Sequence, residues 1–222
     1  MKILLETADL TEIRWATGIG LAEGVMAPAL ALAQQVPSEE ARDYLAELCQ
    51  AVPGPVLTDV MSLQADEIYR EGRELSRIAD NVALNIPAIE EGLRATRRLA
   101  REGVRVNSTL VFAPAQALLA AKAGAAYVSL CVSGLADTGT DGLTLVRAVH
   151  DIFDNYVLEC DLLVTSIHDA AQFTEAARVG ANGAVVSPSL LHALLVHPLT
   201  DRSLDQMLNA WSKQLAHGRT PP

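Results

Sequence analysis

Primary amines are scarce in this 222-residue chain: of 17 basic residues only Lys2, Lys122 and Lys213 are lysines, the rest being arginines. Few groups could therefore condense with a carbonyl to give an imine. Positive charge as a whole is short, with a formal charge of -10 and a pI near 4.9. Nucleic acid and anionic membrane both demand a basic footprint, so neither is expected as a partner, and a small molecule is. The three cysteines, Cys49, Cys131 and Cys160, form no CxxC pair and have no metal-ligand spacing, which leaves no metal site to expect and suits reduced thiols in the cytoplasm. No stretch offers about 18 uninterrupted apolar residues, and the apolar run of MKILLETADL is interrupted at Glu6, too soon for a signal peptide. Glycine-rich phosphate turns of the GxGxxG or GxxxxGK[ST] type are missing too, and no cofactor is expected. Low-complexity segments are likewise missing, and only HGRTPP at the C-terminus reads as a frayed tail.

What the chain does have is a 50% hydrophobic composition, enough at this length for one domain over 1–222 with a full core. Apolar, β-branched runs alternate eight times with stretches of helical period. The strand candidates are KILLE (2–6), EGVM (23–26), PVLTDVM (55–61), NVALNI (81–86), VRVNSTLV (104–111), AYVSLCV (126–132), LECDLLVTS (158–166) and GAVVS (183–187). Ser38, Ser62 and Asp169 read as helix N-caps, and Gly103, Gly124 and Gly180 as residues just past helix ends. Eight βα units in about 220 residues predict an α/β fold of the (β/α)8 TIM-barrel type, followed by an additional helix over about 201–216.

In such a barrel the chemistry sits at the C-terminal ends of the strands. The polar residues there are Glu6, Asp59, Asn85, Asn107 or Thr109, Ser129 or Cys131, Ser166 and His168. Alternation along the third strand puts Leu57, Asp59 and Met61 on one face. If that face is the lumen, Glu6 and Asp59 project into one cup, where burial and mutual repulsion would raise a pKa and supply a general acid or base. The plainer reading is that Glu6 caps a backbone amide and Asp59 pairs with an arginine. Asn85 is the oddity, an amide in an apolar run that would cost roughly 1–3 kcal/mol if buried unpaired.

Together these residues resemble the small transaldolase and fructose-6-phosphate aldolase family. NIPAIEEGL (85–93) matches its fourth-strand signature, where the family has a lysine before Ile-Pro. The likeness runs on through ETA (6–8), GVMAPAL (24–30), EGRELSRIADNVAL (71–84), NSTLVFAPAQALLAAKAGAAYVSL (107–130), DGL (141–143), IFDNY (152–156), TSI (165–167) and HPLTD (197–201). The resemblance implies class I aldol chemistry through a lysine Schiff base, yet it puts Asn85 at the lysine position. An amide nitrogen shares its lone pair with the carbonyl and forms no iminium. The resemblance also matches Glu6 to the family's strand-one aspartate, Met26-Ala27-Pro28-Ala29 to a Thr-Asn-Pro-Ser segment, and Asp59 to the group that polarises the catalytic water. Cys131 stands for an aromatic, Gly134 for the phosphate-binding arginine and His168 for a basic residue, while Thr109 and Ser166 are retained.

Loss of a guanidinium clamp predicts an unphosphorylated ligand. Cys131 reads either as a small apolar filler or as a nucleophile, and His168 either as a residue at the start of the seventh helix or as an acid, base or anion ligand. Three functions follow. An enzyme without a Schiff base would do lyase, dehydratase or isomerase chemistry, with Glu6, Asp59 and His168 as catalytic groups and Asn85, Thr109, Cys131 and Ser166 as substrate-binding ones. A silent barrel would only bind a metabolite or a protein. The third is an aldolase that uses another amine. The last helix, with Trp211 in LNAWSKQL, resembles the family's terminal helix that packs on a neighbouring subunit, and a homo-oligomer is expected, though the same helix could fold back on its own barrel.

Overall fold

The computed structural model describes residues 1–133 and 142–216, so Gly134 and Asp141 of the motifs above, and the HGRTPP tail, lie outside the described residues. The β-branched runs become eight strands: β1 (Lys2–Glu6), β2 (Gly24–Ala27), β3 (Val56–Asp59), β4 (Val82–Pro87), β5 (Arg105–Val111), β6 (Tyr127–Cys131), β7 (Asp161–Thr165) and β8 (Gly183–Val186). Each pairs in parallel with its successor, and β8 returns to β1 through Lys2↔Gly183 to Leu5↔Val186, closing a barrel. The (β/α)8 expectation holds. Around the strands run α1 (Leu10–Gly18), α2 (Ala29–Gln35), α3 (Ala41–Ala51), α4 (Ala65–Ser76), α5 (Glu90–Arg101), α6 (Pro114–Ala123), α7 (Gly142–Asn155) and α8 (Ala170–Arg178).

Asp169 caps α8 as its sequence position predicts, its carboxylate accepting from the Gln172 amide at 2.8 Å. Asp9 does the same for α1 through Thr11, at 2.7 Å. Ser38 and Ser62 do not cap. At Ser62 the reason is that Glu71 of α4 already accepts from the amides of Met61 and Ser62 at 2.9 and 3.0 Å, so the chain stays extended and the helix begins only at Ala65. Ser38 lies in a turn closed by the Glu40 amide on the Pro37 carbonyl, and α3 starts after it. The glycines after α5, α6 and α8 adopt φ of 79°, 100° and 88°, the left-handed region open to a residue without a Cβ.

One buried cluster draws Leu4, Met26, Leu57, Ala83, Tyr127, Leu163 and Val185 from seven of the eight strands. Side chains from around the ring can meet only inside it, which fixes the inward parity of each strand. Two residues up each strand the same parity brings Glu6, Asp59, Asn85, Ser129 and Thr165 toward the mouth. The outward faces pack under the helices. Gly92, the glycine of NIPAIEEGL, shows how closely: a Cβ there would come within 2.1 Å of the Pro87 carbonyl oxygen, so only glycine lets α5 start against the end of β4.

Ser189 onward groups as a second compact unit, carrying α10 (Pro198–Ala216), with α9 (Pro188–Leu194) leading into it. The extra helix begins slightly earlier than the spacing predicts. It leaves Leu199, Leu204, Met207, Leu208 and Trp211 exposed.

Candidate functional site

Above the apolar cluster lies a row of polar side chains joined across four strands. The Ser129 hydroxyl of β6 donates to Asn107 Oδ1 at 2.9 Å, Asn107 Nδ2 of β5 donates to Asn85 Oδ1 at 2.8 Å, and Asn85 Nδ2 of β4 donates to Asp59 Oδ1 at 2.9 Å. The other oxygen of Asp59 accepts from the backbone amide of Ala29, where α2 begins, at 2.9 Å. The order is enforced by chemistry. An ionised carboxylate only accepts, so Asn85 must turn its NH2 to Asp59 and its oxygen to Asn107, and Asn107 must then present oxygen to the serine. Asn85 and Asn107 are 5% and 0% exposed, so the bonds offset the desolvation that a bare amide would suffer there.

The row floors a cavity of about 390 Å³ at the mouth. Its polar wall contains Asp59, Asn85, Thr109, Ser129, Cys131 and Ser166, together with Thr165, and its apolar wall Met26, Pro28, Val60, Met61, Pro87 and Leu110. Across the mouth from Asp59, the Cys131 thiol lies 3.1 Å from the Ser166 hydroxyl. Two lining residues hold unusual backbone: Leu110 at φ 56°, beside a bulge in β5 between Ser108 and Val111, and Ser166 at φ 58°. Left-handed conformations of residues other than glycine cost on the order of 1–3 kcal/mol and gather where a site fixes them.

Asp59, Asn85, Thr109, Cys131 and Ser166 thus share one cavity. Glu6 and His168 do not line it. Loss of hydration raises the Glu6 pKa although part of the side chain meets solvent, and the charge of His168 draws it back down. The expected repulsion from Asp59 is not among the causes of that rise. Asp59 pairs with no arginine among the described residues, and the backbone cap expected of Glu6 is made by Asp59. The choice between Asn107 and Thr109 resolves as both, Asn107 in the buried row and Thr109 above it on the cavity wall. Asn107 and Ser129 are the residues that the sequence underweighted. Alternation was the available signal, since Asn85 is in register with Asn107 across β4 and β5.

No lysine is among the lining residues. Lys2 sits at the opposite end of β1, with its Nζ 3.0 Å from Asp161. That hydrogen bond, outweighing burial, raises its pKa and keeps the amine protonated, hence non-nucleophilic. Lys122 lies on α6 and Lys213 on α10. Burial pushes the Cys49 thiol up to about 11 and Cys160 up to about 12, the latter helped by Asp161, so both are inert as nucleophiles at neutral pH. No described helix is long and apolar enough to cross a membrane.

A closed parallel barrel with polar groups gathered at the C-terminal strand ends is the architecture of the (β/α)8 barrel proteins. The transaldolase/fructose-6-phosphate aldolase family model matches residues 21–219, and the chain belongs to that family. A Rhodospirillum centenum protein described as a probable transaldolase is 44% identical over 215 residues, covering 96% of this chain and 92% of its own. A Desulfosudis oleivorans protein described in the same words is 40% identical over 213 residues, covering 96% and 99%. Among solved structures, FabK from Thermotoga maritima superposes with a TM-score of 0.55 at 16% identity, over 83% of this chain and 57% of that one, a likeness of fold alone.

Proposed function

We propose that this barrel is an enzyme of the transaldolase family that has given up the Schiff base and carries out acid/base chemistry, of lyase, dehydratase or isomerase type, on a small unphosphorylated molecule. The observation that carries this reading is the row Ser129, Asn107, Asn85, Asp59 at the floor of an open cavity, with an amide where imine chemistry needs an amine. Glu6 ends β1 outside the residues that line the cavity, so in this reading it serves the mouth as a proton reserve rather than by direct contact, its proton affinity raised by desolvation and lowered by His168. Asp59, held as an acceptor by Ala29 and Asn85, meets the reacting group from the floor. The free donor and acceptor positions of Asn85, with the hydroxyls of Thr109 and Ser166, hold a carbonyl or hydroxyl, and Cys131 completes the far wall.

A silent barrel has no reason to keep a buried polar row and two strained backbone positions beneath an open mouth, where apolar side chains would fill the space more stably. Retained aldolase activity would need a neutral amine, and Lys2 is protonated and far from the mouth. The test has two parts. Glu6→Gln and Asp59→Asn should each abolish turnover of the true substrate while circular dichroism stays unchanged; full activity in both removes the assigned roles. Borohydride added during turnover with a ketose should leave the protein mass unchanged, and an adduct on any lysine would restore the aldolase. The exposed stripe of α10 further suggests assembly into a homo-oligomer, which light scattering on the eluting protein reads directly.

A further inference from the structure

Among the described residues, Asp59 is the single charged one lining the cavity. No lysine, arginine or histidine among the lining residues offsets it, and no described ion pair includes it. Asp59 is half-buried, and its two hydrogen bonds come from neutral donors, the Asn85 amide and the Ala29 backbone. A carboxylate offers roughly four acceptor positions, and the described partners of Asp59 take about half of them. A carboxylate or phosphate brought into this space would meet like charge with no counter-ion among the described lining residues. A cation would gain a charge-assisted hydrogen bond in surroundings that screen less than water.

We infer that the cavity binds a small amine-bearing molecule, its ammonium on Asp59, its carbon chain against Met26, Val60, Met61 and Leu110, and a hydroxyl at the opposite end near Thr109 or Ser166. The arrangement matches the two walls of the cavity: one carboxylate and a row of neutral donors and acceptors on one side, methylene-sized apolar contacts on the other. It rests on the reading of the mouth as a working site and narrows Asp59 to anchoring charge, leaving proton transfer to Glu6 beside His168.

Three probes matched in length but not in charge test it: 6-amino-1-hexanol, 1,6-hexanediol and 6-hydroxyhexanoate, each titrated calorimetrically at pH 7.5. The amine should bind about tenfold more tightly than the diol, the difference between a charge-assisted and a neutral hydrogen bond, and the hydroxy acid more weakly than either. In Asp59→Asn the gap between amine and diol should close. In wild-type protein carrying a ¹³C carboxyl label on aspartate, the Asp59 signal should shift with the amine and stay still with the diol, which keeps the test alive if Asp59→Asn does not fold. The inference is overturned if the diol or the hydroxy acid binds as well as the amine, if none of the three binds, or if the preference survives in Asp59→Asn. Glu6→Gln should preserve the binding order. Loss of the order there, or its absence in the wild type, counts against the charge assignment, whereas turnover surviving in Glu6→Gln counts only against the acid/base reading.

Discussion

The barrel interior is two materials stacked within two residues of each other along the same strands. Below, Leu57, Ala83 and Tyr127 pack with Leu4 and Leu163 as a dry core; directly above, Asp59, Asn85 and Ser129 continue the same strands as a hydrogen-bonded row. The lower layer is held by non-directional burial and tolerates any side chain of the right volume. The upper layer is held by directed bonds whose members depend on one another. The difference teaches where stability resides and where function is free to change, because the apolar layer can keep the fold while the row is altered.

Substitutions that treat the two layers separately sharpen that contrast. Leu57→Ala, in the fully buried lower layer, should cost about 2–5 kcal/mol in urea unfolding, with the spread set by how far the site collapses. Asn107→Ala should cost less, roughly 1–3 kcal/mol, since it strands the Asn85 oxygen and the Ser129 hydroxyl without replacing them. A double-mutant cycle between Asn85→Ala and Asn107→Ala should show coupling of about 0.5–3 kcal/mol; additive effects would mean that the row is not a unit.

Glu6→Gln should act with opposite sign and smaller size. A carboxyl whose pKa is raised in the folded state contributes stability that is fully present below the unfolded value and lost as pH rises through the folded one. The amide removes that loss, so the variant should melt slightly higher than wild type at pH 7, by no more than about 2–4 °C, and no higher near pH 4. Thermal melts across that range decide it. At the far end of the barrel Lys2→Met breaks a largely exposed ion pair with Asp161 and should change stability by about 1 kcal/mol or less, a difference that added salt diminishes further.

The barrel was legible in the sequence because its signals are local and repeated. Each strand begins and ends within a few residues of its apolar run, and the glycines after α5, α6 and α8 hold the positive φ angles predicted for helix ends. Ser62 failed as a cap because the deciding partners came from elsewhere, Glu71 nine residues beyond it and Glu91 of the next helix on the Ala65 amide, whereas Ser38 failed to a local turn closed by the Glu40 amide on the Pro37 carbonyl. The site was legible only as a set of residues. Alternation brought Asp59 and Asn85 to the lumen, but the row also needs Asn107 and Ser129, whose contribution depends on register across strands that no single strand encodes. That Glu6 responds to the charge of His168 rather than to Asp59 is likewise a matter of placement around the ring. The left-handed backbone at Leu110 and Ser166 has no sequence signature, since neither residue favours it.

The one-way order of the row also constrains what can stand at position 85. A lysine there would find Asp59 as its counter-ion, but the Asn107 amide hydrogens, which now rest on the Asn85 oxygen, would confront an ammonium. Asn107 would have to turn its oxygen toward position 85 and its NH2 toward Ser129, whose hydroxyl can accept as readily as donate. The direction of the whole chain of bonds is thus set by the single residue at position 85 and reverses with it.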